Sequence, residues 1–204
     1  HKEKRPLNQA EKLERLMYWF VTGIWMDLNF NQIMYAMPYQ RYNIRKIVAE
    51  EIQSTKDYQY VPNTDPGRKN FLYLSNPWSA DGLKAKETAA LETVQFIKHL
   101  KIKGFNFIIK GHPRLLLDDR FAKAADEVIP PYILSEFIDV DKVDAILCVE
   151  SSAAHYFAEF TNKPVYSLIY LYHSASEEKK NYYAQYLRDL TNGKINFLHS
   201  LDEL

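Results

Sequence analysis

One short stretch of the chain combines residues suited to holding a phosphate. It is Lys110-Gly111-His112-Pro113-Arg114, and it directly follows the apolar run 107–109. A histidine at a strand end can present its ring to a phosphate as a hydrogen-bond donor or a general acid, and the proline fixes the backbone beside it. The two cations add charge, and Arg114 can hold an anion through paired hydrogen bonds. The stretch therefore predicts an anion site at the carboxyl end of a strand.

A second stretch places paired hydroxyls after another apolar run. Residues 145–149 are apolar, and Ser151-Ser152 come just before a segment with helical periodicity. A serine at a helix start usually caps the helix, and one of the two is expected to do so. The same position offers free backbone N–H groups and the positive end of a helix dipole, where a phosphate binds readily. Ligands of open parallel sheets bind at the carboxyl ends of strands, so both stretches are expected to line one site.

Two carboxylates are candidates for further roles at this edge. Glu136 follows the break at Pro130-Pro131, and a carboxylate there can accept two hydrogen bonds from a ribose diol. A solvated helix position is the alternative for Glu136. Asp81, after the first predicted strand, can act as a base, although a turn residue is the simpler interpretation. His155 is expected to face solvent or to pack on its own helix.

Composition argues against several classes of function. The 26 basic and 26 acidic side chains cancel, so no general field attracts nucleic acid, and no nucleic-acid partner is predicted. The 6 glycines do not cluster into a phosphate loop, and no histidine or cysteine pattern predicts a metal site. Cys148 is the single cysteine, so an internal disulfide is excluded. Its apolar surroundings predict a buried core residue.

Strand and helix patterns alternate from residue 68 onward. This alternation predicts an α/β fold, a Rossmann-like parallel sheet with helices on both faces. Strands are predicted at 71–74, 106–109, 143–149 and 164–169, with an edge strand at 195–197. Helices are predicted at 83–101, 120–128, 152–160 and 177–190, with a helical turn at 132–138.

Apolar periodicity assigns one face of each long helix to the core. For helix 83–101, the residues expected to face inward are Ala90, Leu91, Val94, Ile97 and Leu100, and Glu92 is expected to face solvent. For helix 177–190, the expected inward residues are Tyr182, Tyr183, Tyr186, Leu187 and Leu190. The three tyrosines are thereby predicted to be core residues.

Residues 1–67 are expected to form a helical arm and linker, the end of or link to an N-terminal domain, and 68–204 the sheet domain. Helices are predicted at 10–28 and 41–53, and turn-forming residues from 62 to 67 mark the boundary. The apolar run 16–26 is shorter than the roughly 20 residues of a spanning helix. It is expected to pack on another domain or a partner subunit, with an interfacial membrane contact as the alternative.

Taken together, Lys110-Gly111-His112-Pro113, then Glu136, then Ser151-Ser152 resemble the carboxy-terminal domain of bacterial sialyltransferases of the GT-B type. This group includes lipooligosaccharide sialyltransferases and capsule polysialyltransferases. The resemblance covers roughly residues 68–172. It implies one half of a GT-B glycosyltransferase, which moves sialic acid from CMP-sialic acid to a bacterial surface glycan. It also implies that the CMP-sugar is the donor substrate and that no further cofactor is required.

The resemblance implies a role for each matching residue. His112 would act as acid toward the departing CMP phosphate, Ser151 and Ser152 would hold that phosphate, and Glu136 would bind the ribose. In the family, an acidic pair followed by glycine supplies the base. The nearest approach here is Ala80-Asp81-Gly82, which lacks the first acid, so either Asp81 serves or the base lies on sequence outside this chain. The remaining residues implied in nucleotide binding are Lys110, Gly111, Pro113 and Arg114.

Several alternatives stay open at the level of sequence. The donor could instead be CMP-Kdo, a UDP-sugar or CDP-glycerol, or the chain could be a catalytically silent nucleotide-binding module. The apolar face of residues 13–28 fits either a missing N-terminal domain or a homodimer partner. A polar start without a visible secretory leader predicts a cytoplasmic location, with peripheral association at the inner membrane as the alternative.

Overall fold

A parallel β-sheet forms the core of the part of the chain that the structure describes. The computed structural model describes residues 59–75, 83–112 and 116–204. Within them the strands are β1 (Asn70–Leu74), β2 (Asn106–Lys110), β3 (Glu127–Ile129), β4 (Ala145–Cys148), β5 (Val165–Ser167) and β6 (Asn196–Phe197). Their spatial order is β3-β2-β1-β4-β5-β6, and every neighbouring pair is parallel. The order reverses between β1 and β4, as in doubly wound nucleotide-binding sheets. The predicted Rossmann-like α/β fold is confirmed.

Helices cover both faces of this sheet. They are α1 (Leu83–Ile102), α2 (Asp119–Ala124), α3 (Ala154–Phe160) and α4 (Glu177–Leu190), with short 3-10 helices at Ser135–Phe137, Ile169–Leu171 and Leu201–Glu203. Successive strand residues point to opposite faces. On one face Tyr73 and Leu147 pack in a cluster with Ile97 of α1. On the other, Leu72 packs in a cluster with Phe157 of α3. Because both faces are covered, the central strands are continuously apolar.

A glycine cap ends α1 and leads directly into β2. The N–H of Gly104 donates to the carbonyl of Lys101 at 2.9 Å, and that of Phe105 donates to the carbonyl of Leu100 at 3.1 Å. Gly104 has a φ of 84°, in the left-handed region that glycine adopts without strain. The helix therefore stops at a defined residue, and β2 begins at Asn106.

The predicted inward face of α1 is wrong at two positions. Leu91 is 48% exposed, whereas Glu92 is only 9% exposed. The carboxylate of Glu92 accepts the backbone N–H groups of His173 and Ser174 at 2.9 and 3.2 Å, together with the Ser174 hydroxyl. These donors lie in a loop that approaches α1 from far along the chain, so hydrophobicity alone could not indicate that the acid is buried.

The predicted inward face of α4 is wrong at Tyr182 and Tyr186, whereas Leu187 is buried as predicted and Tyr183 and Leu190 are partly buried against the core. Tyr182 and Tyr186 are 67% and 40% exposed, while the buried residues of the helix are Lys180, Ala184 and Leu187. Lys180 is held by an ion pair with Glu177 one turn earlier, at 2.7 Å. A tyrosine carries a polar tip on an apolar ring, so it fits the rim of a cavity as readily as a core.

Strand β3 was missed at the level of sequence. A helix was predicted over 120–128, but α2 ends at Ala124 and β3 follows at Glu127–Ile129. The N–H of Asp126 donates to the carbonyl of Phe107 at 2.9 Å, and Glu127 pairs in register with Ile108. A strand of three residues has little periodicity of its own. It forms because its backbone pairs with the open edge of β2. The five predicted strands are all present, with ends shifted by one or two residues.

The predicted arm lies largely outside the described residues, including its helices at 10–28 and 41–53. Residues 59–67 are described, and they pack on the sheet domain. The N–H of Tyr60 donates to the carbonyl of Phe137 at 2.8 Å, and its hydroxyl donates to Glu127 at 2.6 Å. Of the helices in the described ranges, none has both the length and the apolar character needed to cross a membrane.

Replacing Glu92 with alanine is expected to lower the free energy of unfolding by about 1–3 kcal/mol, because buried N–H groups lose their acceptor. Leu91→Ala on the same helix is expected to change it by less than about 0.5 kcal/mol, since that side chain is half exposed. Urea unfolding of the two variants measures both effects. A greater loss of stability for Leu91→Ala than for Glu92→Ala would contradict the orientation of α1 that buries Glu92 and exposes Leu91.

Candidate functional site

A cavity of about 660 Å³ lies at the carboxyl ends of three strands. Leu74 at the end of β1 is in register with Lys110 of β2 and with Cys148 of β4. The three strands therefore end level, and the N–H of Ser75 ties β1 to the carbonyl of Lys110 at 2.9 Å. The cavity opens at the point where the strand order reverses, which is the usual ligand position in such sheets.

Six of the predicted site residues line this cavity. They come from three separate parts of the chain: the end of β2, the 3-10 helix 135–137, and the segment after β4. The six are Lys110, Gly111, His112, Glu136, Ser151 and Ser152. The remaining three predictions, Asp81, Pro113 and Arg114, lie outside the described residues. Residues up to 42 positions apart in sequence, such as Lys110 and Ser152, thus line one space.

Lys110 is buried at the base of the cavity, with 3% of its surface exposed. Its Nζ donates to the carbonyl oxygens of Gly111 and Pro131 at 2.5 and 3.3 Å. Burial lowers the pKa of Lys110, and the negative charge of Glu136 partly opposes this shift. An ammonium group has three protons, and two go to these carbonyls. Lys110 therefore joins the end of β2 to the segment that carries Glu136.

The 3-10 helix that carries Glu136 is held from both sides. Its residue Phe137 accepts the N–H of Tyr60 at 2.8 Å, and Tyr60 in turn accepts the N–H of Asp139 at 2.9 Å. The charge of Glu136 also influences Tyr156 on α3, where burial is the main cause of a raised pKa and Glu136 adds to it. Glu136 consequently lies between β2 and α3, facing the cavity from the side.

Neither Ser151 nor Ser152 caps the following helix, although one of the two was expected to do so. Helix α3 begins at Ala154, and its N-cap is Ala153, which makes no side-chain capping bond. The carbonyls of Ser151 and Ser152 accept the N–H groups of Ala154 and His155 at 3.1 and 3.2 Å. Within the described ranges, neither serine hydroxyl has a hydrogen-bond partner. The predicted start of α3 at residue 152 is therefore two residues early.

This geometry changes what the serine pair can offer an anion. Helix α3 has only 7 residues, and the serines precede its cap. The backbone N–H of Ser151 is directed at the sulfur of Cys148, so it is not available to a ligand. At this edge the two hydroxyls, more than the helix dipole, are therefore the groups that an anion could meet.

His155 does not reach the cavity. It is 9% exposed, its Nδ1 contacts the carbonyl oxygen of Leu190 at the end of α4, and its ring lies edge-on to Phe160 at 6.2 Å. The histidine thus joins α3 to α4. Of the two alternatives predicted for His155, exposure to solvent and packing on its own helix, the structure shows a packed side chain.

The lining residues that were not predicted as site residues include one acid and three tyrosines: Glu150, Tyr182, Tyr183 and Tyr186. Glu150 is 6% exposed and stands directly before the serine pair. The tyrosines line one side of α4, where Tyr182 and Tyr183 pack edge-to-face with ring centroids 5.2 Å apart. Aromatic faces of this kind can stack on a nucleobase. The spacing of the three tyrosines along one side of an otherwise polar helix could have indicated that they line the edge of a cavity.

The cavity does not hold an anion by net charge. Of the described residues that line it, Lys110 is basic, and Glu136 and Glu150 are acidic. A phosphate in this setting needs donors aimed at it, because the summed charge of the wall does not attract it. Among the described residues, the serine hydroxyls and the His112 ring are hydrogen-bond donors that were predicted from the sequence and also line the cavity.

The chain has a distant likeness to a solved structure of another protein. No protein-family model matches the chain, and no curated protein matches it. Among solved structures, Thermosulfurimonas dismutans KpsC, beta Kdo 2,7 transferase, aligns with 69% of this chain at 16% identity and a TM-score of 0.34. The aligned part is 46% of that chain, so this chain spans about half the length of that protein. A likeness of this size carries no functional argument, and the fold assignment depends on the sheet itself.

The thiol of Cys148 is expected to be unreactive in the folded protein. Burial raises its pKa to about 12, the Ser151 N–H opposes the shift, and the charge of Glu150 adds to it. The raised pKa stabilises the fold below the ordinary thiol pKa, and this contribution is lost as the pH rises toward about 12. We expect Ellman's reagent to label Cys148 at pH 8 only after unfolding in guanidinium chloride. Rapid labelling of the native protein would contradict the complete burial of the Cys148 side chain.

Proposed function

We propose that the chain is the nucleotide-binding part of a glycosyltransferase that moves sialic acid from CMP-sialic acid to a bacterial surface glycan. The observation that carries this proposal is the convergence of six independently predicted residues on one cavity at the switch point of the sheet. The resemblance implies acid, phosphate and ribose roles for four of them, His112, Ser151, Ser152 and Glu136, and nucleotide binding for Lys110 and Gly111. Their shared cavity is the arrangement that such roles require.

The nucleotide is oriented by the groups around it. Its phosphate lies between His112 and the serine pair, and its ribose lies at Glu136. The base lies toward Tyr183 and Tyr186 of α4, where ring stacking is worth about 1–3 kcal/mol per base. The 660 Å³ of the cavity is within the range of about 300–1,000 Å³ that suits such ligands.

The transfer reaction breaks the bond between the anomeric carbon of the sugar and a phosphate oxygen. The electron pair of that bond stays on the phosphate oxygen, and His112 in its protonated form donates a proton there. The acceptor hydroxyl oxygen forms the new bond to the same carbon and releases its proton to a carboxylate base. A positioned acid typically contributes about 10²- to 10⁴-fold to the rate. Asp81 is the candidate base within this chain, and a carboxylate on a further domain is the alternative.

The acceptor glycan is expected to bind largely outside this domain. Two-lobed transferases hold the donor on one lobe and the acceptor mainly on the other. The second lobe would be a missing N-terminal domain or a partner subunit that packs on residues 13–28. In this proposal the protein works in the cytoplasm or at the inner face of the inner membrane, where CMP-sugars are available.

Removing both hydroxyls in the double variant Ser151→Ala/Ser152→Ala is expected to weaken CMP binding by about tenfold or more, because hydrogen bonds to a charged group contribute about 1.5–3 kcal/mol each. Cytidine lacks the phosphate and serves as the matched control ligand. Calorimetric titration of CMP, cytidine, CDP and UDP on both proteins measures the effect. An equal loss for cytidine would place the serines away from the phosphate, and a preference for UDP over CMP would favour a different donor.

Replacing His112 with alanine is expected to reduce transfer from CMP-sialic acid by about 10²-fold or more, as the loss of one preorganised donor does in other enzymes. The fold should persist, since the side chain is half-buried at the cavity edge. His112→Gln keeps a donor without a transferable proton and should remain slow. CMP affinity and far-UV circular dichroism serve as controls. Near-normal turnover of either variant would refute the proposed acid.

A further inference from the structure

A buried serine of β5 holds the segment that carries the serine pair. Ser167 is completely buried at the end of its strand. Its hydroxyl donates to the carbonyl of Val149 at 2.7 Å and accepts the N–H of Ile169 at 3.3 Å. A buried hydroxyl is costly unless it is hydrogen-bonded, and here it acts as both donor and acceptor. The hydroxyl therefore ties the first residue after β4 to the 3-10 helix that follows β5.

This side-chain bond begins where backbone pairing between the two strands ends. Cys148 and Ser167 are the last residues of β4 and β5 to pair in register. Just beyond them, the N–H of Leu168 donates to the carbonyl of Cys148 at 2.8 Å, and the N–H of Ile169 turns back to the Ser167 hydroxyl. The bond from Ser167 to Val149 thus extends the attachment of β4 to β5 by one residue, toward the serine pair.

A second anchor holds the chain two residues later. The N–H of Ser151 is directed at the sulfur of Cys148, whose side chain is completely buried. Because Cys148 pairs in register with Ser167, both anchors start from neighbouring residues of the sheet. They fix the backbone at Val149 and at Ser151, with only Glu150 between them.

The orientation of the segment 149–152 matters because its side chains differ in what they offer a phosphate. Glu150 and the serine pair all line the larger cavity. A serine hydroxyl can donate a hydrogen bond to a phosphate, whereas a carboxylate has no proton to donate and repels it. Since these residues are consecutive, a rotation of the segment would bring the carboxylate toward the place of a hydroxyl. Phosphate binding at this edge therefore requires a fixed backbone after β4.

We propose that Ser167 and Cys148 are positioning residues, which hold the hydroxyls of Ser151 and Ser152 where the donor phosphate binds. This inference rests on the proposed function and adds two residues that do not touch the nucleotide. Neither of them lines the cavity. Any effect of either residue on phosphate binding is therefore transmitted through the segment 149–152.

Ser167→Ala tests the hydroxyl anchor. We expect CMP to bind about fivefold more weakly, equivalent to one typical hydrogen bond, and cytidine to bind within about twofold of wild type. Thr191→Val is the matched control, because it removes another buried hydroxyl, which donates to the carbonyl of Leu187 at 2.8 Å. It should lower stability to a similar extent and leave the ratio of the CMP and cytidine dissociation constants unchanged. Calorimetric titration and urea unfolding measure the two effects.

A double-mutant cycle separates positioning from a general structural effect. When Ser167→Ala is introduced into the Ser151→Ala/Ser152→Ala protein, CMP affinity should fall no further than about twofold, because the groups that Ser167 positions are gone. Independent effects would instead add. Fully additive losses of CMP affinity would therefore contradict a role through the serine pair.

Cys148→Ala provides a second route if Ser167→Ala does not fold. It removes the sulfur that faces the Ser151 N–H, and it should weaken CMP binding severalfold with cytidine binding preserved. Unchanged CMP affinity in the folded variants, or equal weakening of CMP and cytidine, would overturn the positioning role. Failure of both variants to fold would assign the two residues to the fold itself and would overturn that role as well.

The serine double variant distinguishes these outcomes from failure of the proposed function. If Ser151→Ala/Ser152→Ala weakens CMP more than cytidine while Ser167→Ala and Cys148→Ala do not, the phosphate site stands and the positioning role fails. If the serine double variant weakens both ligands equally, or the wild-type protein binds neither CMP nor UDP, the proposed function fails, and the positioning role fails with it.

Discussion

The level ending of three parallel strands is the constraint on which the site depends. Leu74 pairs in register with both Lys110 and Cys148, so the loops after β1, β2 and β4 leave the sheet side by side. A parallel sheet places all its carboxyl ends on one edge, and the reversal of order between β1 and β4 sends the crossover helices to opposite faces. The crevice between those helices follows from the topology. Chemistry enters through the side chains at these strand ends, together with Glu136 after β3 and the tyrosines of α4.

Much of this arrangement was predictable, because its causes are local. The strands are uninterrupted apolar runs, since both faces of the sheet are covered, and Gly104 marks the end of α1 through its own backbone preference. Once the sheet is parallel, the residues after β2 and β4 must be neighbours. The grouping of His112 with the serine pair followed from that geometry, without any knowledge of distances. Glu136 was harder to foresee, because its position depends on contacts of the 3-10 helix with Tyr60.

The parts that were not predictable depend on partners distant in sequence. Glu92 is buried because a loop some 80 residues away presents N–H groups to it, and Leu91 is exposed as the consequence. Strand β3 forms because β2 has an open edge, and three residues give no periodic signal. The tyrosines of α4 have a helical spacing that suits either a core or a rim, and the sequence does not specify which surface the helix covers. In each case tertiary contacts override local preference.

Electrostatics distinguishes the two sides of the sheet edge. The larger cavity has two glutamates against one lysine, and that lysine has two of its protons on backbone carbonyls. A smaller cavity of about 220 Å³ on the α1 face is lined by Lys86 and Asp118, and the guanidinium of Arg120 is shared between Asp118 and Glu87. In the proposed function, the nucleotide phosphate therefore meets directed donors, the serine hydroxyls and His112, without an excess of positive charge on either side. Such a site holds its ligand by specific geometry and avoids a strong general field, in keeping with a chain whose formal charges cancel.

In the proposed reaction, the position of His112 also limits where a base can lie. In a direct displacement the acceptor oxygen attacks the anomeric carbon from the side opposite the departing phosphate. With the phosphate beside His112 and the serine pair, Glu136 and Glu150 are on the leaving-group side. They are badly placed to receive a proton from the acceptor. In this proposal the base therefore comes from outside the larger cavity, and Asp81 or a carboxylate on a further lobe of the protein is the candidate.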